Sequence, residues 1–226
     1  EVGWLPAVVR AGTDLGELRP QVAQRLGLPR RCRFIVGCLD QYAAAISADN
    51  VSPGATSEST GTVLATISCA DRMSDDLRPE VFQGPAFAVD RFYRMAFGDV
   101  SAGYLEWYRN TLPDRPDFDT LAALAQPIEP GAEGLRLDPN APRATVEHVF
   151  RGWTPRHTPG HAVRCSLEAV AWELRRQVLW LSGGTLPEQV RSAGGGARSD
   201  LWLQIKADVL GVPVAATECP EPACLG

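Results

Sequence analysis

The stretch Gly194-Gly195-Gly196-Ala197-Arg198-Ser199 decides how the rest of this sequence is interpreted. It follows a strand-like run at 189–193 and precedes a helix predicted over 199–210. Consecutive glycines let a backbone approach a flat or charged ligand closely, and the amides at the following helix start can bind its polar groups. The stretch matches neither a P-loop nor the Rossmann glycine spacing. It therefore predicts either a ligand-binding turn or a purely structural one.

Strands and helices alternate on both sides of this turn. The run 212–214 predicts a strand, and apolar residues at steps of three and four predict a long helix over 163–181. Ser101 is expected to cap a helix that runs to Leu112, whereas the Pro- and Gly-rich residues 113–161 are expected to wrap the surface. This alternation indicates an α/β layered fold.

A second candidate turn is Thr60-Gly61-Thr62, at the start of a β-branched, apolar run that predicts a strand over 60–67. A glycine between two hydroxyl residues can hold a phosphate through backbone amides and the Thr62 hydroxyl. The alternative is a plain β-hairpin. A further strand is predicted over 87–93.

Asp40 is the third candidate, because it stands between a short buried strand predicted over 33–36 and a helix predicted over 40–46. The helix dipole favours its ionised form, and a carboxylate can accept a hydroxyl proton as that hydroxyl attacks phosphorus. The alternative role is an ordinary helix N-cap.

The spacing of the His and Cys residues does not indicate a metal site. His157 and His161 are four residues apart, but Pro159-Gly160 between them is expected to break any helix. The six cysteines include no Cys-x-x-Cys pair, so neither a zinc site nor a disulfide framework is predicted.

Composition indicates an ordinary globular protein, with 45% hydrophobic and 22% charged residues over 226 positions. The net charge of -5 and the scattered basic residues argue against a nucleic-acid partner. No apolar run approaches the roughly 20 residues that cross a bilayer, so we expect no membrane partner and a cytoplasmic location. The absence of an initiator Met and the small apolar end at 223–226 predict a fragment of a longer protein.

Taken together, the order and spacing of these segments resemble the FGGY carbohydrate kinases over nearly the whole chain. The stretch 194–214 is similar to that family's adenosine-binding signature, and 221–226 is similar to the start of its Glu-x-x-x-Leu-Gly-Ala-Ala segment. The stretch 37–45 resembles the segment that supplies the catalytic base. Gly61-Thr62-Val63 occupies the place of the family's Gly-Thr-Ser phosphate motif, with Val63 where Ser is frequent.

The resemblance implies the actin-like ATPase fold, in which two ribonuclease H-like lobes enclose ATP. On this basis residues 1–35 are expected to be the tail of the N-terminal sugar-binding lobe. Residues 36–226 are expected to be the C-terminal nucleotide-binding lobe, truncated at its C-terminus.

The implied activity is transfer of the ATP γ-phosphate to a sugar or polyol hydroxyl, with Mg²⁺ bridging the phosphates and no metal ligand within this chain. Asp40 would be the base and, with Gln41, would contact the acceptor. The implied ATP contacts are Gly61, Thr62, Gly195, Gly196, Ala197 and Ser199.

Alone, this chain is expected to be inactive, because its partner would be the missing N-terminal lobe of the same protein; a homodimer is left open. The alternative is a non-catalytic member of the fold that binds nucleotide or mediates protein contacts. Replacing Asp40 would distinguish the two, since only a kinase would lose turnover.

Overall fold

The chain folds as two units, Glu1–Asp40 and Gln41–Gly226. The structure is a computed structural model and describes residues 4, 6–219 and 221–226. Residues 1–3 and 5 of the expected N-terminal segment lie outside this description. The division falls five positions after the boundary expected from the sequence, and the assignment of the first unit to a preceding lobe stays a prediction.

In the first unit, strand β1 (Asp14–Glu17) pairs antiparallel with strand β2 (Arg33–Ile35), and helix α1 (Pro20–Arg25) lies between them in sequence. Pro20 stands in the first turn of α1, where its missing N–H costs nothing. The strand expected at 33–36 is present, but its side chains are exposed and not buried.

The second unit contains eight strands and, counting a helix that begins at the unit boundary, seven α-helices within the part of the chain that the structure describes. In chain order these are α2 (Asp40–Ser47), β3 (Thr56–Thr60), β4 (Leu64–Ala70), β5 (Val81–Pro85), β6 (Phe92–Gly98), α3 (Ala102–Thr111), α4 (Phe118–Ala125), β7 (Arg136–Leu137), α5 (Val146–Val149), β8 (Phe150–Arg151), α6 (Pro159–Leu181), β9 (Val190–Ala193), α7 (Asp200–Leu210), β10 (Val214–Ala216) and α8 (Pro222–Leu225).

Six of these strands form one mixed sheet in the order β10-β9-β3-β4-β6-β5. β10, β9 and β3 run parallel to one another, while β3, β4, β6 and β5 are antiparallel neighbours. The register sets Glu58 of β3 opposite Ser192 of β9. Because β3 and β9 are parallel, the turns that follow them emerge at the same edge of the sheet.

Helices cover both faces of this sheet. On one face, side chains of α3, α4, α6 and α7 pack with Leu64 and Val190 into the largest hydrophobic core. On the other face, Ala45 of α2 packs against Ile67 and Tyr93. The expectation of an α/β layered fold is confirmed.

Local signals in the sequence account for the helix ends. Ser101 caps α3 by accepting a hydrogen bond from the Gly103 amide. Pro159 is the first residue of α6 and leaves His157 outside that helix, so the expected break between His157 and His161 is confirmed, with Gly160 as the second residue of α6. Gly160 is required there, because an added Cβ would lie 2.2 Å from the carbonyl oxygen of Leu124 in α4.

Three expectations on secondary structure are corrected. The run 60–67 is not one strand, because a turn at Gly61 divides it into β3 and β4. The strand expected at 87–93 begins only at Phe92, since Asp90 has a left-handed φ of 57° that interrupts an extended chain. The segment 113–161 does more than wrap the surface, because it contains α4 and contributes fully buried core residues, among them Leu121 and Phe150.

Among the described residues, every helix is too short or too polar to cross a lipid bilayer.

Candidate functional site

The two turns singled out in the sequence line one cleft of about 550 Å³. Thr60, Gly61 and Thr62 form one side, directly after β3, and Gly195 and Gly196 form another, directly after β9. The volume falls within the range of about 300–1,000 Å³ that is usual for small-molecule sites. The parallel pairing of β3 and β9 is what brings these turns together from distant parts of the sequence.

The turn after β3 is a tight β-hairpin turn, and Ser101 at the start of α3 binds it by a hydrogen bond. The Gly61 amide donates to the Val63 carbonyl at 3.1 Å, and the Ser101 hydroxyl donates to the Thr62 carbonyl at 2.6 Å. The plain hairpin and the ligand-binding turn are therefore not exclusive alternatives. The Val63 side chain is exposed and does not line the cleft, so the Ser-to-Val departure from the family motif does not remove a group from the cleft wall.

The triple-glycine turn contains three different glycine environments. Gly194 has a φ of 75° and closes the strand, a conformation that disfavours other residues. Gly196 is packed so closely that an added Cβ would lie 2.8 Å from Thr60 Cβ. At Gly195 an added Cβ would meet nothing within 4 Å, so this residue borders open space. The turn thus approaches β3 through Gly196 while Gly195 stays accessible at the cleft wall.

Helix α7 begins where this turn ends. The Ser199 hydroxyl caps it by accepting from the Trp202 amide at 3.3 Å, and both Ser199 and Trp202 line the cleft. The amides of a helix N-terminus favour anionic or polar ligand groups. Ala197 lies within the turn but is not among the cleft-lining residues.

An apolar wall completes the cleft, and sequence reasoning missed it. It consists of Leu105 of α3, Ala122 of α4, and Val163 and Leu167 of α6, with Phe118 at the start of α4. Phe118 and Ala122 were missed because the segment containing α4 was expected to be surface loop. The other three residues lie on helices that were predicted but not assigned to a cleft. Asp117 was a usable signal, since it caps α4 by accepting from the Thr120 amide, a familiar helix-start pattern.

Charged groups line the cleft unevenly. The carboxylates are those of Glu106, Asp117 and Asp119, and the single cation among the lining residues is Arg198. Hydrogen bonds from the Thr120 side chain and then from its amide lower the pKa of Asp117, so it stays ionised at neutral pH.

A fully buried ion pair lies next to both turns. Lys206 of α7 and Glu58 of β3 have no solvent-exposed side-chain surface, and Lys206 Nζ lies 2.6 Å from Glu58 Oε1. Sequence reasoning missed this pair, because its members are 148 positions apart.

The two remaining predicted site residues lie on α2. Asp40 is the exposed first residue of the helix and belongs to the first unit, whereas Gln41 belongs to the second. Gln41 borders a small cavity against Ser57 and Ser59 and is not among the cleft-lining residues. The roles assigned to both residues stay predictions.

Within the described residues, no group of three or more His, Cys, Asp or Glu is arranged to hold a metal ion. His157 and His161 do contact each other, with ring centroids 5.3 Å apart, but each Nδ1 accepts a backbone amide of a threonine. We therefore assign no metal ligand among these described residues.

Known proteins are similar to this chain over most of its length. The profile described as "FGGY family of carbohydrate kinases, C-terminal domain" matches residues 96–226. The xylulose kinase of Bacillus subtilis (strain 168) is 29% identical over 230 residues, covering 98% of this chain and 46% of that protein. The gluconokinase of Bacillus licheniformis is 27% identical, covering 92% of this chain and 44% of that protein.

Solved structures of kinases are also similar to this chain. The crystal structure of xylulose kinase from Rhodospirillum rubrum superimposes with a TM-score of 0.80 at 26% identity, covering 97% of this chain and 46% of that one. The Plasmodium falciparum glycerol kinase with ADP has a TM-score of 0.74 at 16% identity, which shows likeness of fold alone. The chain spans about half the length of the curated relatives it matches.

Proposed function

Because the chain belongs to the FGGY family of carbohydrate kinases, we propose that it is the nucleotide-binding part of an enzyme that transfers the ATP γ-phosphate to a sugar or polyol hydroxyl. The actin-like ATPase fold expected from the sequence is confirmed by the likeness to solved kinases of this family. The observation that carries the proposal is the shared cleft between the turn at Gly61-Thr62 and the turn at Gly195-Gly196.

The cleft suits a nucleotide in three respects. Its apolar wall at Leu105, Val163 and Leu167 can cover the flat adenine ring, and Gly195 leaves open space where a ring or ribose can lie against backbone. Ser199 and the start of α7 offer polar groups beside it. Gly61 also borders open space, so the hairpin turn can approach the phosphates closely.

In our proposal, residues that do not line the cleft carry out the phosphoryl transfer step. Asp40 would take the proton from the acceptor hydroxyl, and Gln41 would help to hold that acceptor. ATP would bring Mg²⁺, which neutralises phosphate charge when bound. Phosphoryl transfer depends mainly on positioning and charge stabilisation, so these residues act only when both substrates are held in line.

Partners and location follow from the same proposal. The missing half of the kinase would supply the rest of the sugar site, as the curated relatives are about twice as long as this chain. The acidic net charge of -5 supports a small-molecule acceptor and not a nucleic acid. We further propose that the enzyme works in the cytoplasm, where ATP is available; a homodimer stays open.

Calorimetric titration of the purified chain with ATP tests the proposal. We expect saturable binding that weakens about tenfold or more in Gly195→Val, because the added side chain would occupy the open space of the cleft. The control is Trp172→Ala, whose side chain is exposed on another part of α6 and should leave the affinity unchanged. Absence of saturable binding to the wild-type chain, or equal affinities in all three proteins, would contradict the proposal.

A further inference from the structure

A cluster of four buried polar side chains adjoins the cleft and includes neither the proposed base nor any of the proposed nucleotide contacts. It consists of Glu58, Thr60, Ser192 and Lys206, hereafter the Glu58–Lys206 cluster, and each member is almost completely buried. Lys206 Nζ lies 2.6 Å from Glu58 Oε1, 3.1 Å from Thr60 Oγ1 and 3.3 Å from Ser192 Oγ. The three donors of the ammonium group are therefore all used.

The carboxylate of Glu58 is equally well satisfied. Thr60 Oγ1 donates to Glu58 Oε2 at 2.6 Å, and the Ser192 hydroxyl donates to Glu58 Oε1. Each member of the cluster thus contacts at least two others. A network in which every polar group has a partner is rigid, since moving one side chain breaks several hydrogen bonds at once.

The cluster joins the three elements that carry the nucleotide turns. Glu58 and Thr60 lie at the end of β3, Ser192 lies two residues before Gly194, and Lys206 enters from α7. Thr60 is also the side chain on which Gly196 packs, and the Lys206 ammonium lies 4.9 Å from the ring centroid of Trp202. The positions of both turns and of the start of α7 are therefore coupled through one set of hydrogen bonds.

Stability alone does not explain such a cluster. Removing two charges from water is costly, and replacing a buried ion pair by uncharged side chains of similar size is often neutral or stabilising. A directional network instead fixes geometry, which apolar packing does less strictly. Resting on the proposed function, we propose that Glu58 and Lys206 are positioning residues of the nucleotide site, which hold the hairpin turn at Gly61-Thr62 and the glycine turn at Gly195-Gly196 at the spacing that ATP requires.

The test uses a neutral pair in the whole chain, Glu58→Gln with Lys206→Met. Gln keeps one acceptor oxygen for one of the two hydroxyls, and its amide group can donate to the other. Met keeps the length of Lys without its charge and donors. We expect a melting temperature within about 5 °C of wild type. Amide hydrogen exchange at 60–62 and 194–198 should become about tenfold faster, and ATP affinity should fall about tenfold because the turns lose their spacing.

A matched control separates positioning from simple loss of stability. Asn50 forms a buried network elsewhere on the same sheet, donating to Ser57 Oγ at 3.0 Å and to the Ile67 carbonyl at 2.9 Å, and none of these residues lines the cleft. Asn50→Ala should lower the melting temperature while exchange at the two turns and ATP affinity stay at wild-type values. Ser192→Ala removes the hydroxyl that bonds both Lys206 and Glu58 but keeps both charges. It is the second test variant in case the neutral pair does not fold, and we expect from it a smaller change of the same kind.

Two results would overturn the positioning role. One is a folded neutral pair whose turns exchange at wild-type rates. The other is a neutral pair, or a folded Ser192→Ala chain, that binds ATP as tightly as wild type. If the wild-type chain binds no ATP, the proposed function fails, yet the exchange comparison still decides whether the cluster holds the turns.

Discussion

Because Gly196 has no side chain, the backbone of the glycine turn can pack against the side chain of Thr60, the last residue of β3. An added Cβ would lie 2.8 Å from Thr60 Cβ and 3.3 Å from Trp202 Cζ3, two groups that are themselves buried. We predict that Gly196→Ala destabilises the chain by about 1–3 kcal/mol, as overpacked sites usually do, and also weakens ATP binding.

The neighbouring glycine supplies the comparison for this prediction. Gly195→Ala meets no atom within 4 Å, so its melting temperature should stay near that of wild type while ATP affinity falls. Thermal denaturation and calorimetric titration of both variants measure the two effects separately. Equal melting temperatures for Gly195→Ala and Gly196→Ala would contradict the close packing of Gly196 on Thr60.

The buried side chains of Tyr108 and Cys165 make the stability of the folded chain depend on pH in the alkaline range. Burial raises the pKa of the Tyr108 hydroxyl and of the Cys165 thiol to about 12 each, from ordinary values of 10.0 and 9.0. Because the folded-state pKa is the higher one, the stabilising contribution is complete below pH 9 and is lost as the pH rises towards 12. We therefore predict that the free energy of unfolding falls between pH 9 and pH 12.

Urea unfolding at a series of pH values measures this loss. In the double variant Tyr108→Phe with Cys165→Ala, neither group can ionise, so its free energy of unfolding should decline less steeply with pH than that of wild type. Parallel declines in the two proteins would show that these residues do not cause the effect.

Whether a site residue can be recognised from the sequence depends on how many positions separate it from the residues that it contacts. The three consecutive glycines could be recognised because their function requires a local backbone conformation. Glu58 and Lys206 could not be paired from the sequence, since 148 positions separate them and they lie on different elements, β3 and α7, which only the tertiary fold brings together. The roles of Asp40 and Gln41 rest on resemblance and stay predictions.

Among the secondary-structure elements, helix α3 holds the hairpin turn through its cap. The buried Ser101 hydroxyl accepts from the Gly103 amide at 3.3 Å and donates to the Thr62 carbonyl at 2.6 Å. We predict that Ser101→Ala lowers stability by about 1–2 kcal/mol, the usual cost of a lost N-cap, and also weakens ATP binding because the Thr62 turn is released.

Helix α5 offers a matched control, because Thr145 caps it through the His148 amide far from any cleft-lining residue in sequence. Thr145→Ala should lower the melting temperature without changing the ATP dissociation constant. If both variants bind ATP as wild type does, the bond from Ser101 to the hairpin turn has no part in the site.

Prediction of the elements succeeded where one periodic signal dominated. The α6 stripe and the Ser101 cap were recognised, and both helices are present. Helix α4 was missed because a short helix within a Pro- and Gly-rich segment gives little periodicity, although Leu121 and Ala125 on it are fully buried. The strand expected at 87–93 was placed too early in the sequence. The residues that pair with β4 and β5 are Phe92–Gly98, and this pairing depends on the tertiary fold.

For the whole molecule, the decisive fact is that the curated relatives are about twice as long as this chain. On the proposed function, we predict that the chain alone gives no sugar-dependent ADP release with xylulose, gluconate or glycerol, because the other half of such a kinase would be needed to position the reactants. A longer protein that also contains the proposed N-terminal half should show turnover, and Asp40→Asn in that longer protein should abolish it with ATP affinity largely kept.

A coupled assay of ADP release measures this. Rapid phosphorylation of a sugar by the 226-residue chain itself would contradict the prediction, and unchanged turnover in the longer Asp40→Asn protein would remove Asp40 from the mechanism.

The parallel contact between β3 and β9 also has a consequence during synthesis on the ribosome. Glu58 and Ser192 meet across 134 positions of chain, so β3 has no parallel neighbour until β9 has been translated. At about 5–20 residues per second, this interval is on the order of ten seconds. Throughout that time β3 is an unpaired sheet edge, which other nascent chains can join, and chaperone occupancy of this edge would favour correct assembly of the cleft.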